Sequence, residues 1–246
     1  MAKNSNIIYG LRPVMEAIAA HQQIDRILLQ NGLSGSLVGQ LRTMIRDAQI
    51  PFQFVPVERL DHLVQGNHQG VVATIAAVQY HAFVDVMERL QEADHAPLVV
   101  MLDHVTDVRN MGAIARTAEC AGVDAIVVPD RGSAQMGEDA IKTSSGALLR
   151  LPVCRESNLK TVVNMARQYG LSVVAATEKG SVPYTEIDFR QPTLLVMGAE
   201  ETGISNEVLR LCDQRAAIPI RGEVQSLNVS VAAGVMIYEA VRQRGL

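Results

Sequence analysis

Three stretches of this chain place reactive or hydrogen-bonding side chains directly after apolar runs. In Asp103-His104-Val105-Thr106-Asp107-Val108-Arg109-Asn110-Met111-Gly112-Ala113-Ile114-Ala115-Arg116, an amide and a guanidinium stand six residues apart. Asn110 suits the cap of the helix this pattern predicts, and Arg116 lies about 120° further round it, so the two need not share a face. Met197-Gly198-Ala199-Glu200-Glu201-Thr202-Gly203-Ile204-Ser205 leaves an apolar strand through two glycines that let the backbone approach a ligand closely. Glu200 there can cap, orient or act as a base. Ile218-Pro219-Ile220-Arg221-Gly222-Glu223-Val224-Gln225-Ser226-Leu227-Asn228-Val229-Ser230 is an apolar strand, then a polar turn, then an Ala/Gly-rich helix, and taken alone it reads as a serine cap. Each residue has an ordinary structural reading: a helix cap for Asn110, a solvated charge for Arg116, a turn carboxylate for Glu200.

Other chemistries lack their residues. No Gly-x-Gly-x-x-Gly follows a strand, and neither Gly-x-x-x-x-Gly-Lys nor Gly-x-Ser-x-Gly occurs, which sets aside ordinary dinucleotide, P-loop and nucleophile-elbow sites. Cys120, Cys154 and Cys212 are far apart and read as buried thiols. The six histidines form no close helical pair with a carboxylate, so no metal ligand set is expected.

The elements that must position these loops follow from hydrophobic patterning. The 246 residues are 48% hydrophobic and 20% charged, enough for a substantial core and without the bias of a long disordered tail. Residues 1–78 alternate helix and strand patterns: a helix from Leu11 to about His21, a strand from Ile24 to Leu29, and a helix from Leu37 to Ala48 with Leu37, Leu41, Met44 and Ile45 inward. A strand at Phe52–Val55, a helix at Val57–Val64 and a strand at Gly70–Ala76 complete a small α/β domain. Residues 79–96 read as a linker with a short amphipathic helix, Phe83 to Leu90. From 97 to 246, strands at Leu98–Leu102, Ala125–Val128, Leu171–Ala176, Leu194–Met197 and Ala216–Ile220, separated mostly by helices, predict an α/β domain whose parallel sheet is covered on both faces. Ligands bind such sheets beyond the carboxyl ends of the strands, where the three loops fall. Net charge is −4, and the acid excess is confined to the residues after 80, so composition gives no basic footprint for a nucleic acid. No apolar run is long enough to span a membrane, and the polar start, Met1 to Asn6, lacks a signal-peptide core; a cytoplasmic location is expected.

Taken together, Asn110 with Arg116, Met197-Gly198-Ala199-Glu200 with Gly203-Ile204, and Ile218-Pro219-Ile220 with Ser226-Leu227-Asn228-Val229-Ser230 resemble the three motifs of the SpoU (TrmH-like) RNA 2'-O-ribose methyltransferases, in order and at matching spacing. Tyr9-Gly10-Leu11-Arg12-Pro13-Val14-Met15-Glu16-Ala17 and His68-Gln69-Gly70-Val71-Val72-Ala73 look like the L30e-like substrate-binding domain of the bacterial enzymes acting on a 23S rRNA guanosine. The resemblance covers essentially the whole chain. It implies a SPOUT fold with a trefoil knot, a homodimer with catalytic residues contributed across the interface, and S-adenosylmethionine as methyl donor without a metal. By position, Thr177, Gly198, Ile218 and Leu227 match cofactor-holding residues, while Asn110, Arg116, Glu200, Ser226 and Asn228 match the catalytic set. Two departures stand out: Val108 replaces a common proline, and Glu201-Thr202 replaces a commoner glycine-containing pair and adds negative charge.

The chemistry so implied is loss of a proton from a ribose 2'-hydroxyl as it attacks a sulfonium methyl in line. Guanidinium stays protonated, so Arg116 is expected to clamp phosphate and developing alkoxide rather than act as a literal base, with Glu200 and Asn228 orienting it and Ser226 bonding near the reacting group. The expected partner is RNA, not DNA, since only RNA carries the 2'-hydroxyl. A guanosine of 23S rRNA in the peptidyl-transferase region, or an assembly intermediate holding it, is favoured over tRNA. The alternatives are a tRNA methyltransferase, a non-catalytic ribosome-assembly factor and, on the α/β layout alone, a small-molecule nucleotide binder.

Overall fold

The structure is a computed structural model that describes residues 6–178, 180 and 182–245. The chain divides between Ala77 and Val78 into two compact units.

In the first unit, strands β1 (Ile7–Tyr9), β2 (Ile24–Gln30), β3 (Phe52–Val55) and β4 (Val71–Ile75) lie in the order β1-β4-β2-β3, accompanied by helices α1 (Leu11–Ala19), α2 (Ser36–Asp47) and α3 (Val57–Leu63). β4 runs antiparallel to β1 and β2, and β2 runs parallel to β3. Alternation along β2 divides the core: Ile27 and Leu29 meet Val14, Ile18, Leu41 and Ile45, while Leu28 packs with Leu60. α2 buries Val38, Leu41 and Ile45. Leu37, expected inward, is 38% exposed because it falls beyond the edge of the face that positions 38, 41 and 45 share.

The second unit contains β5 (Tyr80–His81), α4 (Phe83–Leu90), β6 (Leu98–Asp103), α5 (Val108–Cys120), β7 (Ala125–Pro129), α6 (Glu138–Thr143), β8 (Val153–Glu156), α7 (Leu159–Gln168), β9 (Ser172–Ala176), β10 (Val182–Pro183), β11 (Thr193–Gly198), α8 (Asn206–Leu209), β12 (Gln214–Ala217) and α9 (Val229–Arg244). Its strands form one sheet, β10-β12-β9-β11-β6-β7-β8-β5, with parallel pairing throughout. Every residue of β6 is buried, as the continuous apolar run of a doubly covered parallel strand demands. Val100 and Leu102 face Met111, Ile114 and Met236 of α5 and α9, while Val99 and Met101 face Met87 and Val163 of α4 and α7. Burying each such side chain contributes roughly 1.5–3 kcal/mol.

Residues 80–90 are not a free tether. β5 pairs with β8, and Phe83, Val86 and Met87 of α4 are buried in the second unit's core. The last strand also differs from expectation: it spans Gln214–Ala217, pairing Ala216 with Ala176 at the end of β9, and Ile218, Pro219 and Ile220 run past the sheet.

Of the three thiols expected to be buried, Cys154 is buried, Cys212 half-buried and Cys120 exposed at the last turn of α5. Burial, followed by the nearby Glu156 carboxylate, pushes the Cys154 thiol up to about 12. Burial and then Asp213 push Cys212 up to about 11. Since the thiolate is the nucleophile, a maleimide titration of the native protein at neutral pH should modify Cys120 rapidly and the other two only on unfolding. Rapid modification of all three would contradict this packing.

Candidate active site

β6 and β11 are neighbours in the sheet, with Gly198 paired to Asp103, so the first two loops leave the sheet side by side. The buried Asp103 carboxylate fastens them together: its Oδ2 accepts the Ser205 N–H at 2.7 Å, and its Oδ1 is 2.5 Å from His104 Nδ1. No motif position marks Asp103; its only sequence signal is a carboxylate ending an apolar strand.

The cap of α5 is Asp107, not Asn110. Asp107 Oδ1 accepts the N–H groups of Arg109 at 2.7 Å and Asn110 at 3.0 Å. A carboxylate suits the positive helix N-terminus, and starting the helix three residues earlier releases the Asn110 side chain for other partners. Val108 occupies the first helical position, where an N–H has no intrahelical partner; this is why proline and valine are interchangeable there.

After β11 the chain doubles back. Ala199 and Gly203 exchange backbone hydrogen bonds of 3.2 and 2.8 Å, with Gly203 in the left-handed region at φ 68°. The fold lies directly on Gly198, where a Cβ would stand 2.2 Å from both the Gly203 carbonyl carbon and the Ile204 nitrogen. Because those are backbone atoms, Gly198→Ala must displace the loop, at an expected cost of about 1–3 kcal/mol. Thermal unfolding of this variant at the wild-type temperature would refute so tight a contact.

On the third loop the cap of α9 is Asn228, whose Oδ1 accepts the Ser230 N–H at 2.9 Å and the Val231 N–H at 3.4 Å. The expected serine cap is thus displaced by an amide that still has an Nδ2 to donate. That nitrogen reaches Glu200 Oε1 at 2.5 Å and Asn110 Oδ1 at 3.0 Å, and Asn110 Nδ2 donates to the same Glu200 oxygen at 2.8 Å. Asn110, Glu200 and Asn228, one from each loop, therefore form a closed triangle.

Beside the triangle opens a cavity of about 300 Å³ lined by Thr177, Gly198, Glu200, Ile218, Ser226 and Leu227, with Met197, Gln225 and Val229 among its other walls. This brings together all four residues expected to hold a cofactor with two of the five expected to be catalytic. The volume lies at the lower end of the roughly 300–1,000 Å³ of small-molecule sites. Ile220 and Leu227 remain 38% and 40% exposed, so an apolar wall faces solvent ready for a ligand.

Arg116 is not brought to this cluster. It is exposed on α5, carries no ion pair or hydrogen bond among the described residues, and does not line the cavity. Glu200 and Asn228 bond to each other and to Asn110, so within one chain they do not orient it. Among the described residues no group of three or more His, Cys, Asp or Glu could hold a metal ion.

Residues 97–238 match the SpoU rRNA methylase family, and residues 7–81 match the RNA 2'-O ribose methyltransferase substrate-binding family. A Staphylococcus saprophyticus protein placed in the TrmH family of tRNA/rRNA methyltransferases is 34% identical over 97% of this chain and 96% of its own length. Among solved structures, the SpoU methyltransferase AviRb of Streptomyces viridochromogenes in complex with AdoMet superposes with a TM-score of 0.60 at 29% identity, covering 97% of this chain and 90% of that one. The AdoMet-bound rRNA methyltransferase of Sinorhizobium meliloti gives 0.61 at 27% identity, covering 96% and 87%.

Proposed function

Since the chain belongs to the SpoU rRNA methylase family, we propose that it methylates a ribose 2'-oxygen of RNA with S-adenosylmethionine as donor, acting as a cytoplasmic homodimer on a guanosine of 23S rRNA in the peptidyl-transferase region. The observation that carries this reading is the Asn110–Glu200–Asn228 triangle at the rim of the 300 Å³ cavity. The reading includes the trefoil threading of the C-terminal segment and an RNA-gripping role for the first unit, which the match over residues 7–81 supports.

The cavity suits the donor: Met197, Ile218, Leu227 and Val229 offer an apolar bed for an adenine, and Thr177, Gln225 and Ser226 offer polar groups for ribose and amino-acid ends. When bound, S-adenosylmethionine supplies an activated methyl on a sulfonium, a leaving group that needs neither a covalent nucleophile nor a metal. The protein then has to place the 2'-hydroxyl in line and stabilise negative charge as its proton departs. The Glu200 carboxylate, held by two amides, is a rigid acceptor for hydroxyl protons, and Ser226 is a second hydrogen-bonding group on the same wall. Arg116, permanently charged and without an ion pair or hydrogen bond among the described residues, supplies its planar fork to the partner subunit's site, where it clamps phosphate and developing alkoxide.

The test is transfer of labelled methyl from S-adenosylmethionine to deproteinised 23S rRNA and to bulk tRNA, both from cells lacking the protein, followed by mapping of the labelled ribose. Label at one 23S guanosine 2'-oxygen is expected. Label only in tRNA would keep the chemistry and overturn the substrate, a second reading favoured by the tRNA/rRNA family of the staphylococcal relative. Failure to bind S-adenosylmethionine would favour a non-catalytic RNA-binding assembly factor.

A further inference from the structure

The second unit carries more acid than base, yet its cations are not evenly neutralised. Arg150, Lys160, Arg167, Arg190 and Arg242 each contact a carboxylate. Among the described residues of this unit, Arg109, Arg116, Arg131, Lys142, Arg210 and Arg221 have no side-chain ion pair or hydrogen bond; of these, Arg109 opens the helix after β6, and Arg131 and Lys142 lie on the loop and short helix after β7.

The fold packs the segments that carry these three against one another. Arg109 stands at the start of α5, seven residues before Arg116, so the two share a face within about 20°. Between them Gly112 seats α6: a Cβ there would lie 2.5 Å from the Thr143 Cβ, in the residue that follows the exposed Lys142. Arg131 follows β7 on a loop fastened to the first one by the Ala134 N–H, which donates to the Val105 carbonyl at 2.9 Å. The His104 ring tightens that junction. Its backbone is held at φ 61°, strained for a non-glycine residue; its Nδ1 is engaged by buried Asp103; and its Cδ2 would lie 2.6 Å from a Cβ at Gly132, next to Arg131. Carboxylates share these segments: Asp107 is engaged as the cap of α5, Asp130 precedes Arg131, and Glu138 and Asp139 lie four and three residues before Lys142, on the same side of α6, without forming an ion pair with it.

We propose that Arg109, Arg131 and Lys142 form a sequence-independent grip on the RNA phosphate backbone, running from the Asn110–Glu200–Asn228 triangle across β6 to β7. A cation already paired with a carboxylate has little charge left to offer, whereas an unpaired one can neutralise a phosphate and release the counterion condensed on the RNA there. The inference rests on the RNA methyltransferase reading.

The experiment compares two triple variants of equal net-charge change, Arg109→Ala/Arg131→Ala/Lys142→Ala and Arg150→Ala/Lys160→Ala/Arg190→Ala, in the full chain. Binding of polyuridine RNA is titrated across salt concentrations, and S-adenosylmethionine binding is measured separately. The first triple should flatten the slope of log K against log salt by about two units, since each single-strand contact contributes roughly 0.7, and should leave S-adenosylmethionine affinity unchanged. The second triple should keep the wild-type slope. Equal slopes in the two triples, whether both flattened or both unchanged, would overturn the grip. Absence of S-adenosylmethionine binding by the wild type would instead overturn the methyltransferase reading, which the salt slopes do not depend on.

Discussion

Arg116→Lys is expected to lower methyl transfer on the order of 100-fold while leaving the melting temperature and S-adenosylmethionine affinity at wild-type values. Stability should hold because Arg116 is exposed on α5 and has no ion pair or hydrogen bond among the described residues that the change would break. Rate should not hold, because lysine keeps the charge and loses the planar pair of donors that can bridge a phosphate oxygen and a developing alkoxide. Where Arg116 acts is a separate and sharper question. From Asn110 it lies about 9 Å further along the helix axis and on another face, clear of its own chain's triangle. If it completes the partner's site, mixing Arg116→Ala chains with Glu200→Gln chains should produce hybrid dimers with one intact site, about a quarter of wild-type activity at random pairing of equal amounts. Inactivity of a mixture proven to contain hybrids would place Arg116 at its own chain's site and remove the reason for catalysis across an interface.

What the sequence makes legible, and what it hides, divides along physical lines. Residues 98–102 read as a buried parallel strand because nothing polar interrupts them, and Met111, Ile114, Ala115 and Ala118 read as the inner face of α5; all are buried. Periodicity cannot tell a core wall from a ligand wall, however, so Ile218-Pro219-Ile220 passes for strand when Ile218 and Ile220 in fact line the cavity. Nor can it choose between Asp107 and Asn110 as cap, since either side chain can accept the first free N–H groups. Short polar strands such as Val153–Glu156 carry too little pattern to announce themselves. The triangle is hidden for a different reason. Its members are 90 and 28 residues apart along the chain, and in the sequence only the resemblance of three motifs to one family connects them.

Substitutions at Asn228 should separate what that residue does for the helix from what it does for the site. Its Oδ1 caps α9 through the N–H groups of Ser230 and Val231, and its Nδ2 donates to Glu200 and Asn110. Asn228→Ala removes both functions. It should destabilise the protein by about 1 kcal/mol, the usual worth of an N-cap, and lower methyl transfer on the order of 100-fold as Glu200 loses a donor. Asn228→Asp keeps an acceptor for the cap, and a carboxylate at a helix N-terminus is at least as good a cap as an amide, so the stability of α9 should survive. The donor is lost, though, and a second negative charge is set against Glu200, so methyl transfer should fall at least as far as in the alanine variant. The like-charge pair should share a proton, and some activity should therefore return as pH is lowered toward the carboxylate range, a recovery the alanine variant cannot show. The expected signature of Asn228→Asp is a stable, inactive chain with a pH response of its own, read by melting curves and methyl-transfer rates from about pH 5 to 8. If the aspartate variant instead transferred methyl at the wild-type rate, the hydrogen bonds donated by Asn228 would be dispensable, and the triangle would be a by-product of capping rather than a part of the site.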